Sequence, residues 1–221
     1  MLRLIFLLAV QLLPAVLLVV FGWGFENLRT FLMNPARAGL TAVTLAAVFS
    51  VAIFRLDIDP LRRGRGPIGK QTQQLAVLLF LSLALLWFLP FADRRKILIL
   101  RHEYWRYLGL SMYAAGAAVR IFALHALGEN FSAYVTLQTG HQLIRHGIYN
   151  RIRHPLYLSL LLAPTGFALI FASKLALPIV VLAALFVLDR IRKEEELLAS
   201  HFGSEFTAYR CRTRKLIPQM F

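Results

Sequence analysis

An all-α, multi-span membrane helical bundle is the fold class this sequence predicts, and three observations carry the expectation. Of the 221 residues, 58% are hydrophobic and only 16% are charged. The mean hydropathy of +0.63 lies far above that of an ordinary soluble domain. Several apolar runs approach the roughly 20 residues that cross a bilayer at about 1.5 Å per residue. No Gly/Ser- or Pro-rich linker divides the chain, so one bundle is the economical reading. About five to six transmembrane helices are expected, including a C-terminal helical hairpin, with a cytosolic amphipathic helix after it.

The elements follow in order. Arg3 precedes a first span, Leu4–Phe21, whose internal Pro14 predicts a mild kink. A secretory signal peptide would have a shorter apolar core and a small-x-small cleavage site, whereas Gly22-Trp23-Gly24-Phe25 reads as the interfacial end of a retained helix. A second span runs from about Ala38 to Phe54. The polar loop Arg55–Gln74 follows, and its Pro60, Gly64, Gly66, Pro67 and Gly69 oppose a long helix. A third span, Leu75–Phe91, leads into 92–106, where Arg94, Arg95 and Lys96 precede the apolar Ile97–Leu100; that piece is expected along the interface. The fourth span, Tyr107–Leu127, carries Arg120 in its interior. An ionisable residue there is either a functional site or a side chain snorkelling to the near interface, and the sequence leaves both open.

After the polar segment 128–155, apolar residues run from Leu156 to Leu188. Ala172-Ser173-Lys174 marks a tight turn, so a hairpin of two short helices is expected, with both its ends on one side of the membrane. Asp189–Arg210 reads as an amphipathic helix and Arg212–Phe221 as a basic tail. The chain thus divides into an N-terminal transmembrane bundle, 1–127, and a C-terminal region, 128–221.

The net charge is +14, but the basic residues lie in loops and at the C-terminus rather than on one soluble face. Nucleic acid is therefore not an expected partner, whereas membrane lipids and their anionic headgroups are. Placing the N-terminus inside gathers most Lys and Arg on the cytoplasmic side and makes the C-terminal region cytosolic, in a multi-pass protein of the inner or plasma membrane. Loop 92–106 breaks that rule with Arg94, Arg95, Lys96, Arg101 and Arg106, and has to be external or interfacial. The single cysteine, Cys211, excludes an internal disulfide and a multi-cysteine metal site. The six histidines include no i, i+4 pair with a third ligand, so no metal is expected. Oligomeric state cannot be read.

Chemistry is concentrated in His141–Tyr157, HQLIRHGIYNRIRHPLY, pressed against an apolar helix. Pro155 suits the first turn of that helix, whose free amides face the polar segment and suit a carboxylate or a ribose hydroxyl. Tyr149 and Tyr157 lie near enough in sequence to wall one pocket. Alone, the stretch is equally a membrane anchor of charges, proline and belt tyrosines. A second cluster, Asp189–Glu196, emerges where the hairpin returns to the same side. There Arg190 and Glu194 are four apart, on one helical face.

Taken in order, the C-terminal half resembles the isoprenylcysteine carboxyl methyltransferase family and, more distantly, the phospholipid methyltransferases. The residues that carry the resemblance begin with Gly128-x-Asn130-Phe131-Ser132, Gly140-His141-x-Leu143, Gly147-x-Tyr149 and Arg153-His154-Pro155-x-Tyr157. They continue with Arg190-Ile191-x-x-Glu194-Glu195, Phe202-Gly203-x-Glu205, Tyr209 and Leu216-Ile217-Pro218. The pattern departs at Ile148, where many relatives have Pro, at Ser159 for Gly, and at Phe206 for Tyr. The first 105 residues carry no such pattern.

The resemblance implies a membrane enzyme that uses S-adenosyl-L-methionine and a lipophilic substrate entering from the bilayer. His141, Gln142, Leu143 and Ile144 would line the cofactor, Tyr149, His154, Pro155, Leu156 and Tyr157 would complete that wall, and Glu194 would hold it. Arg190 would act as the catalytic, substrate-binding residue by addressing the reacting carboxylate. Such a carboxylate is ionised near neutral pH and needs no base, whereas an amine would need His154 or Glu195 to take its proton. No strand followed by G-x-G-x-x-G points to a soluble Rossmann methyltransferase. Methylation of a phospholipid, amine or thiol, an NADPH-dependent sterol-type reductase, and a non-catalytic scaffold are the other readings.

Overall fold

The computed structural model describes residues 16–17, 19–53, 69–128 and 143–217. Among them there is no β-strand, only two isolated bridges. The helices are α1 (Leu28–Met33), α2 (Pro35–Ile53), α3 (Gly69–Arg94), α4 (Tyr104–Leu127), α5 (Pro155–Ile170), α6 (Ala176–Phe202) and α7 (Ser204–Arg212). Short 3-10 turns cover Phe25–Asn27 and Gly147–Asn150.

Among the described residues two helices are long and apolar enough to cross a membrane, Ala76–Arg94 and Tyr104–Leu127. They become three if the bent pair Phe25–Met33 and Pro35–Ser50, which meet at 101°, forms one span. The first expected span, Leu4–Phe21, lies mostly outside the described residues. Two features of the described helices bear on the rest of the count. Helix α5 has 16 residues, short of a full crossing, and α6 carries the charged run 189–196 within one continuous helix. The charged stretch is thus the extension of the second hairpin helix rather than a separate element. Helix α3 likewise begins at Gly69, earlier than the glycines suggest.

The bend before α2 is local chemistry. Asn34 Oδ1 accepts from the amides of Ala36 (3.1 Å) and Arg37 (3.3 Å), and Pro35 takes the first helical position, where no amide is needed. The hairpin turn falls where expected, between α5 and α6. It is pinned by loop 95–100 through Leu100 N–H to Ala172 O (2.6 Å) and Lys174 N–H to Leu98 O (2.8 Å). Loop 92–106 therefore sits at the turn end of the hairpin, opposite the end that bears His154 and Glu194.

Helices α4 and α5 cross closely because Gly109 and Gly166 face each other. A Cβ on Gly166 would lie 2.5 Å from Tyr113 N and 2.6 Å from Gly109 O, with backbone that has nowhere to go. We expect Gly166→Val to force the helices apart at a cost of about 1–3 kcal/mol, read as a melting temperature several degrees lower in detergent. Around this crossing, Phe167–Phe171, Trp23, Phe31, Leu40 and Leu89 form the main core. A smaller core of Tyr157, Val187, Ile191 and Leu216 lies at the opposite end, beneath the polar cluster.

The turn end also holds a buried ionic clasp that joins three helices. Asp93, at the end of α3, receives Arg37 of α2 (2.8 Å) and a two-pronged contact from Arg106 of α4 (2.6 and 2.8 Å). The remaining donors are used: Arg37 reaches Phe31 O and Thr30 O, and Arg106 reaches Ile170 O and Glu103. Trp23 stacks on the Arg37 guanidinium at 4.2 Å.

Candidate active site

The antiparallel return of α6 along α5 brings the two sequence clusters together. Pro155 opens α5 at its first turn and is fully buried. One turn of α6 then places Arg190 and Glu194 against the first turn of α5. The Tyr157 hydroxyl sits between them, donating to Glu194 Oε2 (2.7 Å) and accepting from Arg190 Nε (3.3 Å). Arg190 is 6% exposed, packed near the rings of Tyr157 and Phe186, whereas the Glu194 side chain is 34% exposed. One end of the relay is therefore inside the protein and the other is at its surface.

Beneath this relay lies a second layer. Glu195 Oε1 accepts from Arg153 Nε (3.0 Å) and lies 3.2 Å from His154 Nε2, while His154 Nδ1 is 3.8 Å from Glu194. Arg153 also donates to the backbone oxygens of Arg210 and Thr213. Backbone bonds from Arg153 to Arg214 O (2.8 Å) and from His154 to Lys215 O (3.0 Å) stitch the segment after α7 to the start of α5. Burial alone would raise the Glu195 carboxyl, but the hydrogen bonds from His154 and Arg153 outweigh it and hold it down at about 2.

A folded value below the ordinary 4.5 means that this stabilisation is complete above that pH and disappears as the pH falls toward 2. We expect the wild type to lose melting temperature across that acid window more steeply than Glu195→Gln, measured in detergent from pH 5 to pH 2.5.

The wall segment docks on the same end. The Tyr209 hydroxyl of α7 donates to Tyr149 O (2.8 Å), and Arg145 pairs with Glu205 at 2.7 Å. Burial pushes both tyrosine hydroxyls up, Tyr209 to about 12 and Tyr149 well above its usual range, where the charge of Glu194 adds to the effect. Leu143, Ile144 and Leu156 are half-buried, and Tyr149, His154, Pro155 and Tyr157 are buried. His141 and Gln142 lie outside the described residues. A cavity of about 290 Å³ opens between the end of α4 and residues 146–148, lined by Phe122, His125, Ala126, His146, Gly147 and Ile148. It borders the wall segment, but Arg190, Glu194 and Tyr157 are not among its lining residues.

The structure thus gathers Tyr149, His154–Tyr157, Arg190 and Glu194 at one end of the bundle. Sequence reading named Glu195 only as a possible base and gave Arg153 no bond. Their signal was an arginine directly before His-Pro and a run of three glutamates, Glu194–Glu196. Their pairing across 42 residues was not readable.

A helical membrane protein with a paired arginine and glutamate at one face is the class these features define. Residues 108–200, from within α4 to within α6, match the family model of the isoprenylcysteine carboxyl methyltransferase (ICMT) family. The protein-S-isoprenylcysteine O-methyltransferase of Saccharomyces cerevisiae is 32% identical over 114 residues, covering 50% of this chain and 48% of the relative. That of Tribolium castaneum is also 32% identical over 114 residues, covering 50% and 41%. The probable enzyme of Oryza sativa subsp. indica is 31% identical over 121 residues, covering 52% and 63%. The match spans about half the length of these curated relatives. A solved eukaryotic intramembrane Ras methyltransferase, isoprenylcysteine carboxyl methyltransferase, superposes with a TM-score of 0.58 at 22% identity, over 93% of this chain and 74% of that one. The family resemblance read from the motifs is borne out, and the fold is that of an integral membrane protein.

Proposed function

We propose that the chain is an integral membrane S-adenosylmethionine-dependent methyltransferase acting on the carboxylate of a lipophilic substrate of the isoprenylcysteine type. The observation that carries this reading is the relay Arg190–Tyr157–Glu194, in which opposite charges one helical turn apart are tied through one phenol.

The residues present fit the cofactor. Glu194 offers a part-exposed carboxylate, aligned by Tyr157, to an ammonium or to ribose hydroxyls. Leu143, Ile144, Tyr149, Pro155, Leu156 and Tyr157 supply a largely apolar wall, and the amides of the first turn of α5 add a polar edge. His154 belongs to that wall and also steadies the glutamates. His141 and Gln142 are assigned to the wall by family resemblance. Bound there, S-adenosylmethionine supplies an electrophilic methyl group on a sulfonium sulfur.

What remains for the chain is positioning, because in-line displacement is governed by approach geometry. Arg190 is buried and its guanidinium is a planar fork, the geometry that fixes a substrate carboxylate with two parallel bonds. An amine substrate would need a base. Of the two candidate bases, Glu195, held at about 2 by His154 and Arg153, is far too weak near neutrality, and His154 is turned onto the two glutamates at 3.2 and 3.8 Å, which favours a carboxylate over an amine. The substrate enters laterally from the bilayer and the methyl donor from the cytosol. In this orientation the His154–Glu194 end faces the cytosol and loop 92–106 the other side. Arg120 lies in α4, seven residues before its end, with an exposed side chain and no ion-pair partner among the described residues. It is placed to influence substrate choice within the span.

Calorimetry in detergent tests the reading. Heat is expected with S-adenosylmethionine and S-adenosylhomocysteine and none with NADPH; silence with both adenosyl ligands would sink it.

A further inference from the structure

At the turn end of the bundle, remote from the proposed reaction, the charge is strongly one-sided. Arg29, Arg94, Arg95, Lys96, Arg101 and Lys174 are exposed there, against the exposed carboxylates of Glu26 and Glu103. Glu103 is already engaged by Arg106 and Asn34, and Asp93 is consumed by the buried clasp. Among the described residues, none of Arg29, Arg95, Lys96, Arg101 and Lys174 has a carboxylate partner. Cations left unneutralised at one end of a membrane bundle call for an external anion.

The same loop is apolar where it is not charged. Ile97 is 42% exposed and Leu98 is 50% exposed, between Lys96 and Arg101. Trp87 and Phe91 stack at 5.3 Å in the last turns of α3, with the Arg95 guanidinium 5.8 Å from the Phe91 ring. A free phosphate has no use for this apolar surface, whereas a phospholipid uses both kinds of group.

The display is also held rigid. Lys96 (φ 57°), Leu98 (φ 51°) and Ala172 (φ 48°) are the non-glycine residues with positive φ among those described; Leu98 and Ala172 belong to the pairing across the hairpin turn, and Lys96 lies in the turn that ends α3. Side-chain-bearing residues adopt that region only when their surroundings hold them there. Here the holders are the bonds of Leu100 and Lys174 across the hairpin turn, with Ile97 N–H on Ala92 O (2.8 Å).

We propose that this end of the protein is a binding surface for anionic phospholipid. The cations meet the phosphate-bearing headgroups, and Ile97 and Leu98 enter the acyl boundary. This accounts for the basic residues of loop 92–106 without appeal to topology, and it does not depend on the proposed enzymatic activity.

Native mass spectrometry of the whole protein tests it, after equilibration in micelles with equal phosphatidylglycerol and phosphatidylcholine. The wild type is expected to retain phosphatidylglycerol about tenfold or more over phosphatidylcholine, since one cation near such a headgroup is worth about fivefold. The surface variant R95Q/K96Q/R101Q/K174Q should fall to within about twofold of parity. The variants R95Q/K96Q and R101Q/K174Q should each fall part of the way, keeping the test informative if the fourfold variant does not fold. An equal change at the other end, R151Q/R192Q/R210Q/R212Q, should leave most of the preference. Excess glycerol 3-phosphate should not displace the lipid. The proposal is overturned if the wild type has no preference, if the surface variant keeps it, if the distal variant loses as much, or if glycerol 3-phosphate competes fully.

Discussion

Arg190→Ala is expected to bind S-adenosylmethionine as the wild type does and to lose roughly 10²–10³-fold in kcat, the usual cost of removing a group that orients or stabilises reacting charge. Arg190 is buried on the inner side of the relay, while Glu194, the carboxylate proposed to receive the cofactor, lies four residues on and is part-exposed. The two functions are therefore separable. Glu194→Ala removes the acceptor of the Tyr157 hydroxyl and should abolish cofactor binding. Arg190→Lys keeps a charge but not the planar fork, and should recover only a small part of the lost turnover. Paired calorimetry and single-turnover methylation measure both. If both alanine variants methylate at the wild-type rate, these assignments are wrong whatever the family resemblance.

Asp93→Ala should produce the largest loss of stability, about 3–5 kcal/mol, because it leaves Arg37 and Arg106 buried without their shared counter-charge. Asp93 has a side chain only 2% exposed, against 11% for Arg37 and 8% for Arg106, so water cannot replace it. Replacing all three together, as Arg37→Met, Asp93→Leu and Arg106→Met, should recover most of the loss. A paired buried cluster is costly to break and nearly neutral to delete whole. Thermal unfolding in detergent decides: if Asp93→Ala melts with the wild type, the clasp contributes nothing.

Much of this organisation was legible in the chain. Apolar runs announced α2, α3 and α4, and Ala172-Ser173-Lys174 announced the hairpin turn. The four-residue spacing placed Arg190 and Glu194 on one face. Local pattern carries these features, since helices and turns are decided within a few residues. The clasp was invisible because its partners stand 56 and 13 residues apart and nothing local distinguishes Asp93 from a solvated helix end. The bend at Asn34-Pro35 did have a signal, an N-cap residue followed by proline. Reading 189–210 as a separate amphipathic helix failed because α6 continues unbroken from the apolar run into the charged one, as no helix-breaking residue separates them. At the site, residue types suggested roles. The relay through Tyr157, and the pairing that leaves Glu195 ionised, needed the three-dimensional return of α6 onto α5.

The most direct measurement of the central claim is transfer of isotope-labelled methyl from S-adenosylmethionine to a prenylated cysteine in proteoliposomes. Label is expected in a methyl ester that is released by mild alkali, and is expected to be lost in Arg190→Ala. No transfer, or label in an alkali-stable linkage, would contradict it.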